Sequence, residues 1–563
     1  MRYLALATDY DGTLASDGRV SERSIEALER FRTSGRRLVL VTGRELDDLL
    51  TVCDRLDLFD RVVAENGALL YRPDTKERVP LCEPPPQAFI EELHARNVAP
   101  VSVGAVIVAT WQPHETQVLD AISSLGLDLQ VIFNKGAVMV LPAGVNKATG
   151  LRAALAELHL SEHNVVGVGD AENDHAFLDR CELSVAVANA LPAVQRRCDH
   201  VTDGDHGTGV IELIDAILDD DTAWRPQRHA LSFATDANDA PVTIDPHGET
   251  ILITGPSASG KSTTVSGILE LLNERAYELF IVDPEGDYGS FPGIVQLGDP
   301  TQPPLAAEIV QLLEAGTSLS ANLLGVRLDE RPAFFESALA SIAELLSRSG
   351  RPHWMVIDEA HHLMPDGWTR TVPALRDHAG STIFVTVHPD MLAPSILGLV
   401  TAVIAVGADP AVSLRPVADA FGLEAPMIDA REGSIVLWRP QRGEAMHVTP
   451  VPSTVEHQRH IRKYAAGDLE DHAFVFTGPD GALRLRAQNL TIFSQMAEGV
   501  DEATWRFHLE RGDLVTWFRE CVKDDELASI VEEATGDPEG SRATILSAIE
   551  ERYTAPATPS RAS

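Results

Sequence analysis

The sequence predicts an α/β architecture in more than one domain: a helix-covered parallel sheet with a small α/β insertion, a second α/β domain, and a mostly helical C-terminal domain. Three observations carry that expectation. At 563 residues the chain is longer than one hydrophobic core organises. Short apolar runs alternate with amphipathic helical stretches over residues 1–218 and again over 228–445, the mark of β-α units in a parallel sheet. Two phosphate-type motifs, Asp9-Tyr10-Asp11-Gly12-Thr13 and Gly255-Pro256-Ser257-Ala258-Ser259-Gly260-Lys261-Ser262, each end an apolar run.

In the first block, 4–8, 37–42, 61–64, 165–168 and 183–187 read as strands, and 21–34, 45–56 and 147–158 as helices. The pattern changes over about 71–142, where Pro84-Pro85-Pro86 precedes a helix at 87–96, an apolar run 101–111, a helix near 115–125 and another apolar run 130–140. That segment reads as an inserted cap. Asp219-Asp220-Asp221 closes the block, and a stretch rich in Asp, Ala and Pro (235–249) leads into the second. There the strands are 251–254, 280–283, 354–358, 382–386, 402–406 and 434–438. Residues 455–553 contain a hairpin-like 473–487 and then helices whose Trp505, Leu509, Leu514, Trp517 and Phe518 form a core stripe. The Ala/Pro/Ser-rich tail 554–563 reads as disordered.

Charge and cysteine usage narrow the function classes. With 84 acidic against 46 basic residues the formal charge is -38, a surface that repels nucleic acid and anionic membranes at long range. The five cysteines have neither metal-ligand spacing nor a disulfide framework, as expected in a reducing cytoplasm. The first strand begins too near Met1 for a signal peptide, and no apolar run is long enough to cross a bilayer. Lysine is scarce in a chain that prefers arginine, so Lys147 and Lys261, both beside phosphate-type motifs, stand out.

The first motif supports phosphoryl transfer. Asp9 at a strand end is placed as nucleophile and Asp11, two residues on, as general acid and base. Gly12 and Thr13 let the chain turn so that amides face a phosphate. The Thr42 hydroxyl and Gly43 N–H suit phosphoryl oxygens, and Lys147, opening a helix, offsets charge on the transferred group. Gly169-Asp170-Ala171-Glu172-Asn173-Asp174 closes a strand with carboxylates suited to Mg²⁺, which prefers oxygen ligands.

These residues, with Val41-Thr42-Gly43-Arg44, Glu65-Asn66-Gly67-Ala68 and Gly144-Val145-Asn146-Lys147, resemble the haloacid dehalogenase (HAD) superfamily, in its Cof-type branch with the cap between the second and third motifs. The resemblance covers residues 1–218 and implies a Rossmann-like sheet and Mg²⁺-dependent hydrolysis through an aspartyl-phosphate on Asp9. It places Asp9, Asp170 and the Asp11 carbonyl on the metal with Asp174 behind them, and Asn173 with Thr42, Gly43 and Lys147 at the phosphate. It also implies a small phosphorylated metabolite, such as a sugar phosphate, as substrate. In the cap, Asn134, Lys135 and His114 are candidates for substrate contact, with solvated surface as the alternative.

The second motif is a glycine loop between a strand and a helix, where amides and the helix N-terminus receive phosphates. Gly255, Ser257, Ser259, Gly260, Lys261, Ser262 and Thr263 are the expected ATP contacts, with Lys261 bridging phosphates and Ser262 on Mg²⁺. The strand ending in Asp358-Glu359 supplies a carboxylate for the Mg²⁺ hydration shell and one to polarise water, and His388 after another strand is a possible γ-phosphate sensor. With Val282-Asp283-Pro284-Glu285-Gly286-Asp287-Tyr288 and Thr386-Val387-His388-Pro389, residues 228–445 resemble HerA/FtsK-type ATPases of the additional-strand P-loop class. That resemblance implies ATP hydrolysis in a homo-oligomeric ring with an arginine donated in trans; Arg376 and Arg439 are the candidates. Only Arg370 and Arg376 are basic between Asp358 and Thr386, thin for a ring that threads DNA.

The expectation is therefore a cytoplasmic phosphatase of small phosphorylated metabolites fused to an ATPase. The alternative is a nucleic-acid-processing ATPase whose first domain removes phosphate from nucleotide or nucleic-acid ends.

Overall fold

The computed structural model describes residues 1–134, 136–256, 259–289, 291–368, 375, 381–431, 434–454, 469, 473–479, 481, 483–522, 524–534 and 538–553. The chain divides into two compact units: Met1–Lys261 with Leu271–Pro450, and Ser262–Glu270 with Val451–Ser563.

The first unit contains two large sheets. The N-terminal one has eight strands, in the order His200–Val201, Leu183–Ala186, Val165–Gly169, Ala5–Thr8, Arg37–Val41, Arg61–Ala64, Leu69–Arg72, Glu77–Pro80. The first six are parallel and the last two antiparallel. Its central strands read Ala-Leu-Ala-Thr and Arg-Leu-Val-Leu-Val and are buried nearly throughout, as a sheet covered on both faces requires. From Ala5–Thr8 the chain moves first to Arg37–Val41 on one side, and later to Val165–Gly169 on the other. The carboxyl ends of these three neighbours thus meet where the strand order reverses, the place where open α/β sheets bind ligands.

The insertion is a four-stranded antiparallel sheet in the order Ser102–Val103, Val108–Trp111, Ala137–Pro142, Leu129–Asn134, backed by helices Gln87–Ala95 and Glu115–Leu125. The first apolar run forms a strand pair broken at residues 104–107, and the second forms a hairpin. Leu69–Arg72 and Glu77–Pro80 extend the main sheet, so the cap begins after Pro80 rather than near Tyr71.

The second sheet has eleven strands: Pro241–Ile244, Leu231–Thr235, Glu444–Pro450, Ile435–Arg439, Ala402–Ala405, Thr250–Thr254, Ser381–Thr386, Trp354–Ile357, Leu279–Asp283, Leu319–Asn322, Val295–Leu297. Ser381–Thr386 lies between the glycine-loop strand and the strand that ends before Asp358, pairing in parallel with both. Three strands run through or beside stretches expected to be linker or boundary: Leu231–Thr235, Pro241–Ile244 and Glu444–Pro450. Each carries exposed or half-buried positions, which hides them from a search for apolar runs.

The second unit packs the hairpin Phe474–Phe476/Leu485–Ala487 against helices, with Trp505, Leu514, Trp517 and Phe518 in its core. His457, His460, His472 and the tail 554–563 lie outside the described residues.

Within the first unit the two sheets meet across a polar interior. Glu182, fully buried at the foot of Leu183–Ala186, lies 2.8 Å from His163 Nδ1 and 3.1 Å from His247 Nε2, and accepts from the Tyr277 hydroxyl at 3.2 Å. His163 stacks on Tyr277 with ring centroids 3.9 Å apart, and its Nε2 contacts the Arg275 carbonyl at 2.9 Å. Arg228 donates to the Cys181 and Glu182 carbonyls. His353 accepts the Glu278 N–H on Nδ1 at 3.0 Å, the geometry of a neutral ring. Burial holds His353 well below the usual imidazole range and takes His229 down to about 4. Below about pH 6.5 the unfolded chain protonates both rings while the fold resists, so their contribution is complete above that pH and is lost as pH falls. A Tm that drops between pH 7.5 and 5, by more than in a His353→Asn variant, is the expected result in calorimetry.

Candidate functional site

At the centre of the N-terminal sheet, Asp9 directly follows Ala5–Thr8, and its N–H donates to Val168 of the neighbouring strand at 3.0 Å. Asp170 ends that neighbour. Helix Lys147–Glu157 brings the ammonium: Asn146 caps it by accepting from Ala148 and Thr149 N–H, which fixes Lys147 at the first helical position. Lys147 is 1% exposed and donates to Asp9 Oδ1 at 2.5 Å and Asp174 Oδ1 at 2.6 Å. The other Asp174 oxygen accepts the Asp170 and Ala171 N–H groups, each at 2.9 Å, and Thr13 Oγ1 donates to Asp170 at 3.1 Å.

Asp9, Asp170 and Asp174 thus place three buried carboxylates with oxygens within 4.8 Å of one another. Burial, then the Asp174 charge, push Asp9 up to about 8 against the pull of Lys147. One ammonium leaves this group with surplus negative charge. An all-oxygen donor set of that kind fits a hard divalent cation such as Mg²⁺.

Above this group is a cavity of about 750 Å³ lined by Asp9, Asp11, Thr42, Gly43, Arg44 and Asn173 from the core domain. The cap closes it with Val101, Ile107, Ala109, Trp111 and Met139, an aliphatic and aromatic wall. Lys147, Asp170 and Asp174 lie below, and the cavity reaches Asp9. Thr42 Oγ1 accepts the Arg44 N–H at 3.1 Å.

Several sequence expectations change here. Gly12 does turn the chain, at φ 90°, but its N–H donates to the Ala15 carbonyl at 3.1 Å because the tight turn closes on itself. It therefore does not face a phosphate. Asn173 lines the cavity, yet its Nδ2 donates to Asn66 at 3.1 Å and the buried Oδ1 is left without a partner. An acceptor suits a hydroxyl or a hydrated cation better than a phosphate oxygen. His114 contacts the Ala99 carbonyl at 3.1 Å and does not line the cavity; Lys135 and the Asn134 side chain lie outside the described residues.

Two residues carried no sequence-based role. Arg44 holds Asp11 through two contacts, Nε–Oδ2 at 2.5 Å and Nη2–Oδ1 at 2.7 Å, and reaches Asp48 at 2.5 Å. Glu65 is buried and bonds to the cap. Both sit in motifs quoted above, but spacing alone does not reveal their partners.

In the second sheet, Gly255 and Gly260 take positive φ of 152° and 99°; a Cβ on Gly255 would lie 2.0 Å from the Val406 carbonyl oxygen. Lys261 opens helix Lys261–Glu274, and its ammonium donates to the Gly255 and Pro256 carbonyls at 2.9 and 2.7 Å. Ser262 and Thr263 are exposed in the same helical turn, Ser259 is half-buried, and Ser257 lies outside the described residues. Asp358 accepts the Glu359 N–H at 2.9 Å, and burial, then Glu359, push it up to about 8. Glu359 sits at φ 41° and is raised by burial and Glu285. His361 Nδ1 lies 3.0 Å from Thr386 Oγ1 and 3.3 Å from Glu359. His388 is largely exposed, 5.3 Å in ring distance from His361. Arg439 is bound within the chain, to the Thr243 carbonyl at 2.8 Å with Glu249 at 3.7 Å, which leaves it poorly placed for donation in trans. Arg370 and Arg376 lie outside the described residues. Among the described residues no helix is long and apolar enough to cross a membrane.

Comparison with known proteins agrees with both halves. Residues 6–97 and 103–214 match the haloacid dehalogenase-like hydrolase family, and residues 231–343 match the central domain of helicase HerA. The phosphoglycolate phosphatase 2 of Saccharolobus solfataricus is 32% identical over 230 residues, covering 38% of this chain and 92% of the relative. The phosphoglycolate phosphatase of Methanothermobacter thermautotrophicus is 29% identical over 219 residues, 37% of this chain and 96% of its own. A crystal structure of a haloacid dehalogenase-like hydrolase from Bacteroides thetaiotaomicron covers 38% of this chain and 99% of its own at 20% identity, with a TM-score of 0.34. The chain belongs to the haloacid dehalogenase-like hydrolases, and in the same polypeptide it carries a HerA-type P-loop domain.

Proposed function

We propose that the N-terminal domain is a magnesium-dependent phosphatase that cleaves a small phosphorylated metabolite through an aspartyl-phosphate on Asp9, and that the HerA-type domain binds and hydrolyses ATP. The observation that carries the first half is the cavity floor: Asp9 reaches the cavity while Lys147 donates to it and the carboxylates of Asp170 and Asp174 stand beside it. Asp9 attacks phosphorus, an Asp9 oxygen–phosphorus bond forms, and the ester oxygen leaves with a proton from Asp11. Asp11 then takes a proton from water as that water attacks phosphorus, the bond to Asp9 breaks, and phosphate departs. Thr42 and Gly43 line the wall that receives the phosphoryl oxygens. Asp9 and Asp170 would hold Mg²⁺ with the Asp11 carbonyl, and Asp174 would stand behind them; the cation supplies screening of phosphoryl charge when bound.

The similarity to phosphoglycolate phosphatases favours a phosphorylated carboxylic acid over the sugar phosphate expected from sequence. Arg44, the cation lining the cavity among the described residues, is already paired with Asp11 and Asp48, so a substrate carboxylate would share it with them. For the second domain the support is Lys261 beside the glycine loop, with Asp358 and Glu359 at the end of a nearby strand.

The two chemistries separate by mutation. Asp9→Asn is expected to abolish phosphate release from 2-phosphoglycolate while ATP turnover continues, and Lys261→Ala the reverse; one variant silencing both assays would refute independent sites. Asp11→Asn is expected to lower kcat by about 10²–10⁴-fold with little change in KM, read from initial rates.

The HerA central-domain match favours one second reading, a nucleic-acid-processing ATPase working as a homo-oligomer. The net charge of -38 counts against it. ATP turnover measured with and without duplex or single-stranded DNA is expected to be unchanged; stimulation of tenfold or more would support the second reading instead.

A further inference from the structure

The cap is anchored to the core domain by one buried carboxylate. Glu65 directly follows strand Arg61–Ala64 and is 1% exposed. Its Oε1 accepts the N–H of Ala105 at 2.9 Å, and its Oε2 accepts those of Val106 and Ile107 at 2.7 and 2.9 Å. These three successive amides form the turn between Ser102–Val103 and Val108–Trp111. Such a turn presents a small anion site of peptide N–H groups, and Glu65 fills it with charge-assisted bonds. The strand pair so held supplies Ser102, Ile107, Ala109, Thr110 and Trp111 to the cavity wall.

The core side of the contact is held with equal strictness. Glu65, Asn66 and Gly67 are consecutive residues at φ 51°, 53° and 104°. Two consecutive non-glycine residues in that region are strained, so the surroundings must enforce the turn. They do so from the site itself. The Glu65 N–H donates to the Arg44 carbonyl at 2.9 Å, and the Asn66 N–H donates to the Thr42 carbonyl at 3.0 Å. Asn66 Oδ1 accepts from Asn173 at 3.1 Å. A Cβ on Gly67 would lie 1.9 Å from the Asn146 carbonyl oxygen, next to Lys147. On the cap side, a Cβ on Gly104 would meet Glu65 Oε1 at 2.8 Å. One turn therefore references the cap strand pair to the loops that carry Thr42, Asn173 and Lys147.

We propose that Glu65 is a positioning residue that fixes the cap strand pair over the phosphoryl site and so sets which leaving groups the cavity accepts. It does not touch the reacting atoms. Phosphoryl transfer from a substrate that makes little use of the cap persists without it, while discrimination by the cap wall is lost. The inference rests on the phosphatase reading only for its kinetic consequence; the anchoring itself is independent of that reading.

The test uses the full-length chain with Glu65→Gln, which keeps the shape but turns one acceptor into a donor facing amides. Gly104→Ala is the second variant, because it displaces the same turn while leaving Glu65 and the core domain intact. Hydrogen exchange by mass spectrometry is expected to show the peptide containing Ala105, Val106 and Ile107 exchanging at least tenfold faster in both variants, with the peptide spanning Lys147–Glu157 unchanged. In kinetics, KM for 2-phosphoglycolate rises about tenfold or more and kcat changes less than threefold, while KM for para-nitrophenyl phosphate is nearly constant. Unchanged exchange at 105–107 in both variants overturns the anchor. A fall in kcat at constant KM, or an equal shift for both probes, overturns the specificity role. If wild type hydrolyses neither probe, the phosphatase reading fails and the exchange measurement alone decides the anchor.

Discussion

A single ammonium with no access to water holds the N-terminal site together. Lys147 is shared by Asp9 from one strand and Asp174 from the loop after another, at 2.5 and 2.6 Å. Neither carboxylate is tolerable in that interior without it, since an unpaired buried charge costs several kcal/mol. The constraint propagates outward. Lys147 must begin its helix at that spot, which demands the Asn146 cap. The helix must also press against the Glu65–Gly67 turn, so closely that a Cβ on Gly150 would lie 2.7 Å from the Gly67 Cα. Asp174 must keep its second oxygen for the Asp170 and Ala171 amides, which fixes the loop where the third carboxylate stands.

That centre was legible in the sequence because Asp9 and Asp170 directly follow strongly apolar strands. Val165–Gly169 and Ala5–Thr8 are buried on every residue, so their patterning is unambiguous and the aspartates that follow are conspicuous. The same logic exposed the glycine loop and Asp358. What escaped were relations between segments with no shared local pattern. Arg44 and Glu65 are quoted in their motifs, yet nothing in the spacing says that one clamps Asp11 or that the other reaches forty residues ahead to Ala105. Glu65 in particular shows its part only through its three amide partners.

The architecture was misread where burial is one-sided. Glu77–Pro80 is largely exposed and looks like a loop, but it closes the edge of the main sheet through Leu69–Arg72. Glu444–Pro450 alternates exposed and half-buried positions with only Val448 buried, and it runs beside Ile435–Arg439 into a segment assigned to a boundary. The acidic run Asp219-Asp220-Asp221 also proved to be more than a spacer: Asp221 accepts from Arg36 at 2.9 Å and from the Arg2 N–H at 2.8 Å. A charge run is a weak guide to a linker when arginines wait on the adjoining domain.

The carboxylate of Glu182 bears on how this fusion is inherited. It belongs to the hydrolase half by sequence, but its contacts at His247 and Tyr277 belong to the other half. Cutting the gene between the two would open Glu182, His247 and Tyr277 to water and exchange their mutual contacts for hydration. The two halves therefore share one buried polar cluster, and parting them would remove contacts that each now makes through the other.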